Sequence, residues 1–106
     1  MASDHRHAQR CQLVAEAEAT ESSSEIKLSC KTTDLSLGGC FLDMLNPFAE
    51  GTDVRVRISH NNTTFTALGK VAFVLPNLGM GVEFRSVGEV QLAILHEWIS
   101  ELSRAK

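Results

Sequence analysis

The feature that most constrains this chain is a change of period. From Leu13 to Phe84 apolar and polar residues alternate in short runs, whereas from Val87 onward apolar residues recur at helical spacing. Alternation with period 2 builds half-buried strands, and a 3.6-residue stripe builds one amphipathic helix. Leu13, Ala15, Ala17 and Ala19 are small and apolar while Gln12, Glu16 and Glu18 are polar, a strand pattern in residues that also favour helix. Residues 20–24 read as a hairpin loop. Beyond it, Ile26, Leu28 and Cys30 share one face and Lys27, Ser29 and Lys31 the other. A turn-rich passage, Asp34-Leu35-Ser36-Leu37-Gly38-Gly39, leads into apolar Cys40-Phe41-Leu42, and Asn46-Pro47 and Gly51 punctuate the stretch before Val54. Val54, Val56 and Ile58 oppose Arg55 and Arg57. His60-Asn61-Asn62 turns the chain into a run over residues 63–74, which Pro76-Asn77-Leu78-Gly79 closes before a last strand, Met80-Gly81-Val82-Glu83-Phe84.

Ser86 and Glu89 stand in capping-box relation, so a helix is predicted from there, with Val87, Val90, Ile94, Leu95, Trp98, Ile99 and Leu102 on its apolar side. Roughly six strands with turns every 8 to 12 residues, then one helix, predict an all-β fold: a small six-stranded antiparallel β-barrel with a C-terminal amphipathic α-helix on an opening or flank. The 106 residues suffice for one domain, divided into an arm (1–10), a barrel (11–85) and a helix (86–104).

Composition excludes several functions. A net charge of −3 is wrong for a general DNA or RNA binder, which needs a basic surface to neutralise phosphates. No apolar run approaches the roughly 20 residues that cross a bilayer, and the N-terminus lacks a signal-peptide pattern, so membrane insertion is not expected and a cytoplasmic location is. Cys11, Cys30 and Cys40 have neither metal-ligand nor redox spacing and read as small buried hydrophobes.

Two short motifs carry chemistry. Arg6 and Arg10 lie in a polar segment too poor in apolar residues to be core, and guanidinium forks suit phosphate oxygens or the Hoogsteen edge of guanine. Taken alone, such a pair reads as solvated charge. In Asp34-x-Ser36-x-x-Gly39, Asp34 can accept from the Watson–Crick edge of guanine, Ser36 can donate to a phosphate, and Gly39 can permit positive φ and close ligand approach. The plain alternative is a turn held by Asx and serine bonds to nearby backbone.

Together, Arg6-His7-Ala8-Gln9-Arg10 and Asp34-Leu35-Ser36-Leu37-Gly38-Gly39, in that order on an all-β pattern with a terminal helix, resemble the R-x-x-x-R and D/N-x-S-x-x-G motifs of PilZ domains. Gly51, Gly69-Lys70-Val71 and Gly79-Met80-Gly81-Val82-Glu83-Phe84 extend the resemblance over nearly the whole chain. It implies a barrel that binds the second messenger cyclic di-GMP, with Arg6 and Arg10 gripping phosphates and guanine edges and Asp34, Ser36, Gly38 and Gly39 lining the wall. The arm would order on binding and so transmit the signal. His5 precedes the arginine motif where the family is often basic, which leaves one or two bound nucleotides open. With five residues ahead of Arg6, no second function is expected upstream. The implied partners are cyclic di-GMP and an unidentified downstream protein, and the chain is expected to be a monomer or weak dimer.

No catalytic residue, metal site or cofactor is expected. His5, His7, His60 and His96 form no ligand-spaced set, His5 and His7 with Cys11 read as an incidental polar terminus, and Trp98 reads as a core anchor. The rival function is a PilZ-like adaptor that binds protein and no nucleotide, against which both arginines argue. A barrel for single-stranded RNA would interleave basic and aromatic residues, and the chain has five Phe, one Trp and no Tyr.

Overall fold

In the computed structural model, residues 10–104 are described, and the alternation read in the sequence becomes six strands and a helix. These are β1 (Ala15–Glu21), β2 (Lys27–Ser36), β3 (Gly39–Asp43), β4 (Asp53–His60), β5 (Thr63–Leu75), β6 (Gly79–Ser86) and α1 (Glu89–Arg104). All pairings are antiparallel, and the sheet closes in the order β1-β2-β3-β6-β5-β4. The predicted six-stranded barrel with a C-terminal helix is the fold that forms.

Closure explains the composition of the strands. Ala15, Ala17 and Ala19 on β1 face inward, Ala17 and Ala19 opposite Ile58 and Val56 of β4, and their small size leaves the interior to Phe65, Leu42, Ile58 and Met80, which are fully buried. A small barrel is filled by matching small side chains to large ones in this way. Val54, Val56 and Ile58 are at 0% exposure, each contributing about 1.5–3 kcal/mol by leaving water, while Arg55 and Arg57 point out. Asn61 and Asn62 take positive φ of 54° and 61°, as a tight β4–β5 hairpin requires.

Several boundaries differ from expectation. β1 runs through Thr20, which is buried, so the loop begins at Ser22. Ile26 is 53% exposed because the left-handed turn at Glu25 precedes β2, which starts at Lys27. Ser86 pairs with Leu68 as the end of β6 and therefore caps nothing. The helix starts at Glu89, with the Gly88 carbonyl accepting from the Leu92 amide.

Helix α1 buries Leu95, Trp98 and Ile99. Trp98 meets Phe65 with ring centroids 6.1 Å apart and His60 edge-on at 5.2 Å. Val90, expected in the apolar stripe, is 72% exposed. Gln91 occupies the contact in the first turn, its Oε1 accepting from the Thr66 amide at 2.7 Å.

Candidate functional site

Two β-bulges decide where the polar motif points. Along β2 the even residues Leu28, Cys30 and Thr32 turn toward the core, and continued alternation would carry Asp34 and Ser36 inward with them. The register instead shifts between Thr32 and Asp34, after which Leu35 is buried. Asp34 is thereby delivered to the outer wall, as bulges re-aim side chains, and Ser36, itself buried, lines the cleft beside it. Thr32, fully buried, holds the shift: its hydroxyl faces the Asp34 carbonyl at 3.3 Å and the Phe41 carbonyl at 3.0 Å. A second shift, between Val71 and Phe73 of β5, turns Val74 toward the core and leaves Phe73 43% exposed.

The two shifts act on one surface. Strand pairing sets Asp34 beside Phe41, Phe41 beside Gly81 and Gly81 beside Phe73, a row across β2, β3, β6 and β5. In the next row Ser36 pairs with Gly39 and Gly39 with Glu83. These rows floor a cleft of about 330 Å³ whose lining includes Arg10, Asp34, Ser36, Gly38 and Gly39. Five of the six expected binding residues therefore meet in one place. Arg6, His5 and His7 lie outside the described residues.

Arg10 anchors one rim. Its Nη1 lies 3.3 Å from Asp34 Oδ2, so the arginine motif and the aspartate motif touch directly. The Asp34 carboxylate thus pairs with an arginine, not with backbone as a simple Asx turn would have it. Adjacent Cys11 fixes the segment by exchanging backbone hydrogen bonds with Leu35 at 2.8 and 2.9 Å. Its thiol packs against the Ile99 carbonyl and Ser103 of α1. Glu83, also in the cleft, is paired with Arg85 at 3.2 Å.

The serine and glycines have duties within the protein. Ser36 Oγ accepts from the Gly38 amide at 3.2 Å and donates to the Gly39 carbonyl at 3.3 Å, closing the β2–β3 turn. That is the local serine turn, made by a side chain that also lines the cleft. Gly39 does not take positive φ; a Cβ there would overlap the Val82 carbonyl of β6, so the glycine admits a neighbouring strand. At Gly38 a Cβ would meet nothing, which leaves that edge of the cleft open.

Thr32, Phe41 and Phe73 carry no motif, and Gly81 and Glu83 stand out in the sequence only as part of the late glycine-rich strand and not as site residues. The signal for the first bulge was present, since the apolar parity of β2 switches from Leu28 and Cys30 to Leu35.

Cys30 and Cys40 are poor nucleophiles. Burial, with the Asp43 and Glu18 carboxylates, pushes the Cys30 thiol up to about 11. Burial chiefly, then the nearby Cys30 and Asp34, raises Cys40 further. Among the described residues no His, Cys, Asp or Glu cluster could hold a metal, and no helix is long and apolar enough to cross a membrane.

Residues 4–101 match the PilZ domain. The chain belongs to the PilZ domain family. Solved PilZ and related structures superpose on it. The inhibitor of motility MotI/DgrA of Bacillus subtilis is 14% identical with a TM-score of 0.79, over 95% of this chain and 52% of that one. This chain thus spans about half of that relative's length. The PilZ domain of YcgR from Escherichia coli, solved with c-di-GMP, is 17% identical with a TM-score of 0.74, covering 94% and 92% of the two chains. The PilZ domain of CeSA from a cellulose-synthesizing bacterium is also 17% identical, with a TM-score of 0.72 over 91% and 99%. At such identities the likeness establishes the fold alone. No curated protein matches the sequence.

Proposed function

We propose that this PilZ domain is itself a cyclic di-GMP receptor, with Arg6 and Arg10 of the arm and Asp34, Ser36, Gly38 and Gly39 of the wall as its binding residues. The observation that carries the reading is the contact of Arg10 with Asp34 at the mouth of the cleft. Side-chain exposures of 68% and 27% make this a partly solvated ion pair, worth only about 0–1 kcal/mol. A phosphate can take over the guanidinium with little penalty. The released carboxylate then accepts from the N–H groups on the guanine edge, while the guanidinium fork grips phosphate bidentately. Local arginines suffice on a protein of net charge −3, since the ligand meets the arm and not the average surface.

In this reading the arm, residues 1–10, orders over the nucleotide, and the altered surface is read by a downstream protein in the cytoplasm. The domain performs no chemistry on its ligand and uses no cofactor.

Calorimetric titration with cyclic di-GMP tests this, with cyclic di-AMP as the control. Wild type should bind the guanine compound, and Arg10→Ala should lose about 1–3 kcal/mol, the usual worth of a bidentate arginine contact. Arm amides should gain protection from exchange in the complex. Equal affinity in the variant would remove the arm from the mechanism. Absence of binding by wild type would make the barrel a protein adaptor.

A further inference from the structure

We propose that Phe73, bedded on Gly81 and backed by Phe41, is the stacking platform for one purine base of the bound nucleotide. This rests on the receptor reading of the same cleft.

Strict alternation along β5 would carry Phe73 inward behind Phe65, Ala67, Gly69 and Val71. The bulge before it turns it onto the outer wall. There the ring occupies the space that a side chain at position 81 would fill, because a Cβ on Gly81 would overlap it. Phe41 lies against Gly79, where a Cβ would meet the Leu42 carbonyl first and then the Phe41 ring. The two rings lie 6.2 Å apart with 26° between their planes, forming a nearly continuous apolar ledge.

Covering strand glycines is a structural role, and aromatic residues do this in sheets generally. It does not account for the rest of the arrangement. Phe73 remains 43% exposed, and its exposed surface lines the cleft that also holds Arg10 and Asp34. What sets it apart from singly exposed apolar side chains is its place in a concave cleft, continuous with the Phe41 ring and rimmed by charged groups, as apolar surface in a ligand groove is. The row Asp34, Phe41, Gly81, Phe73 offers an acceptor for a base edge at one end and a π-surface at the other, with a guanidinium at the rim. A nucleotide presents the complementary features: donor-bearing edge, flat face and phosphate. Since every base has a π-face, the platform adds affinity whereas Asp34 selects guanine.

The test is NMR of cyclic di-GMP titrated with the wild-type protein, Phe73→Leu and Phe73→Trp, with melting temperatures recorded for each. In wild type the guanine H8 resonance of one base moves upfield through the ring current. Phe73→Leu should abolish that shift and weaken binding about tenfold or more, given the usual worth of one stacked base. Phe73→Trp should restore both. If Phe73→Leu binds as tightly as wild type with the same upfield shift, the platform is wrong while the receptor reading stands. If wild type itself fails to bind, the receptor reading falls and takes the platform with it.

Discussion

Strands β4 and β2 begin from the same pattern and end differently. β4 alternates without interruption: Val54, Val56 and Ile58 are buried, and Arg55 and Arg57 are out. β2 keeps this rule as far as Thr32, then breaks it, and the residues beyond the break line the cleft. β5 shows both behaviours within one strand, regular along β4 and bulged where it approaches Gly81 of β6. The unbroken part of the sheet makes the core, and the broken part exports side chains that alternation would have buried. A site is thus found where a local rule is violated with compensation, here by the buried hydroxyl of Thr32.

The largest effect bearing on this contrast is expected within one motif. Gly39→Ala drives a methyl into the Val82 carbonyl and should lower stability by about 2–3 kcal/mol, whereas Gly38→Ala should change it by less than about 0.5 kcal/mol. Urea denaturation of both variants checks this. Equal losses would mean that the two glycines do not divide between barrel closure and cleft.

A smaller effect is expected at the bulge itself. Thr32→Val keeps the shape and removes the hydroxyl shared by two carbonyls, at an expected cost of about 1–2 kcal/mol in the same assay. Cyclic di-GMP affinity should fall as well, because Asp34 loses its support. A variant as stable as wild type would show that the bulge is held by strand pairing alone.

The smallest effect lies on the regular stretch of β2. The Cys30 thiol is raised from its ordinary 9.0 to about 11, so the unfolded chain releases this proton at lower pH than the folded one. Its contribution to stability is therefore intact below pH 9.0 and declines as pH rises toward about 11. Because Cys30 is only half-buried, the loss should not exceed about 1 kcal/mol after solvent screening. Denaturation of wild type and Cys30→Ala across this range should show the steeper decline in wild type; parallel curves would refute it.

Much of the barrel was legible because closure uses the simplest code available. The inward Ala15, Ala17 and Ala19, the Val54, Val56 and Ile58 face and the Asn61-Asn62 turn each follow from local pattern. The helix was legible in kind but not in detail. Ser86 and Glu89 satisfied a capping rule, yet pairing of Ser86 with Leu68 held it in β6, and Val90 lost its place on the buried face to the Gln91 contact. Asp34, Ser36, Gly38 and Gly39 were marked by motif, and the serine turn was one of its readings, but the task of Gly39 in admitting β6 was not.

What the sequence determined by itself is the alternation, the turns and the two motifs, because each depends on residues within a few positions of one another. The tertiary structure decided where the parity switch in β2 falls, so that Asp34 faces out, and it alone decided that Gly39 answers to β6 and that Phe73 lies on Gly81. Those outcomes depend on the register each strand adopts against its neighbours, within the β2–β3 and β5–β6 hairpins for Asp34 and Phe73 and across the distant β3–β6 pair for Gly39, and a single-residue shift in register exchanges the inside of a barrel for its outside.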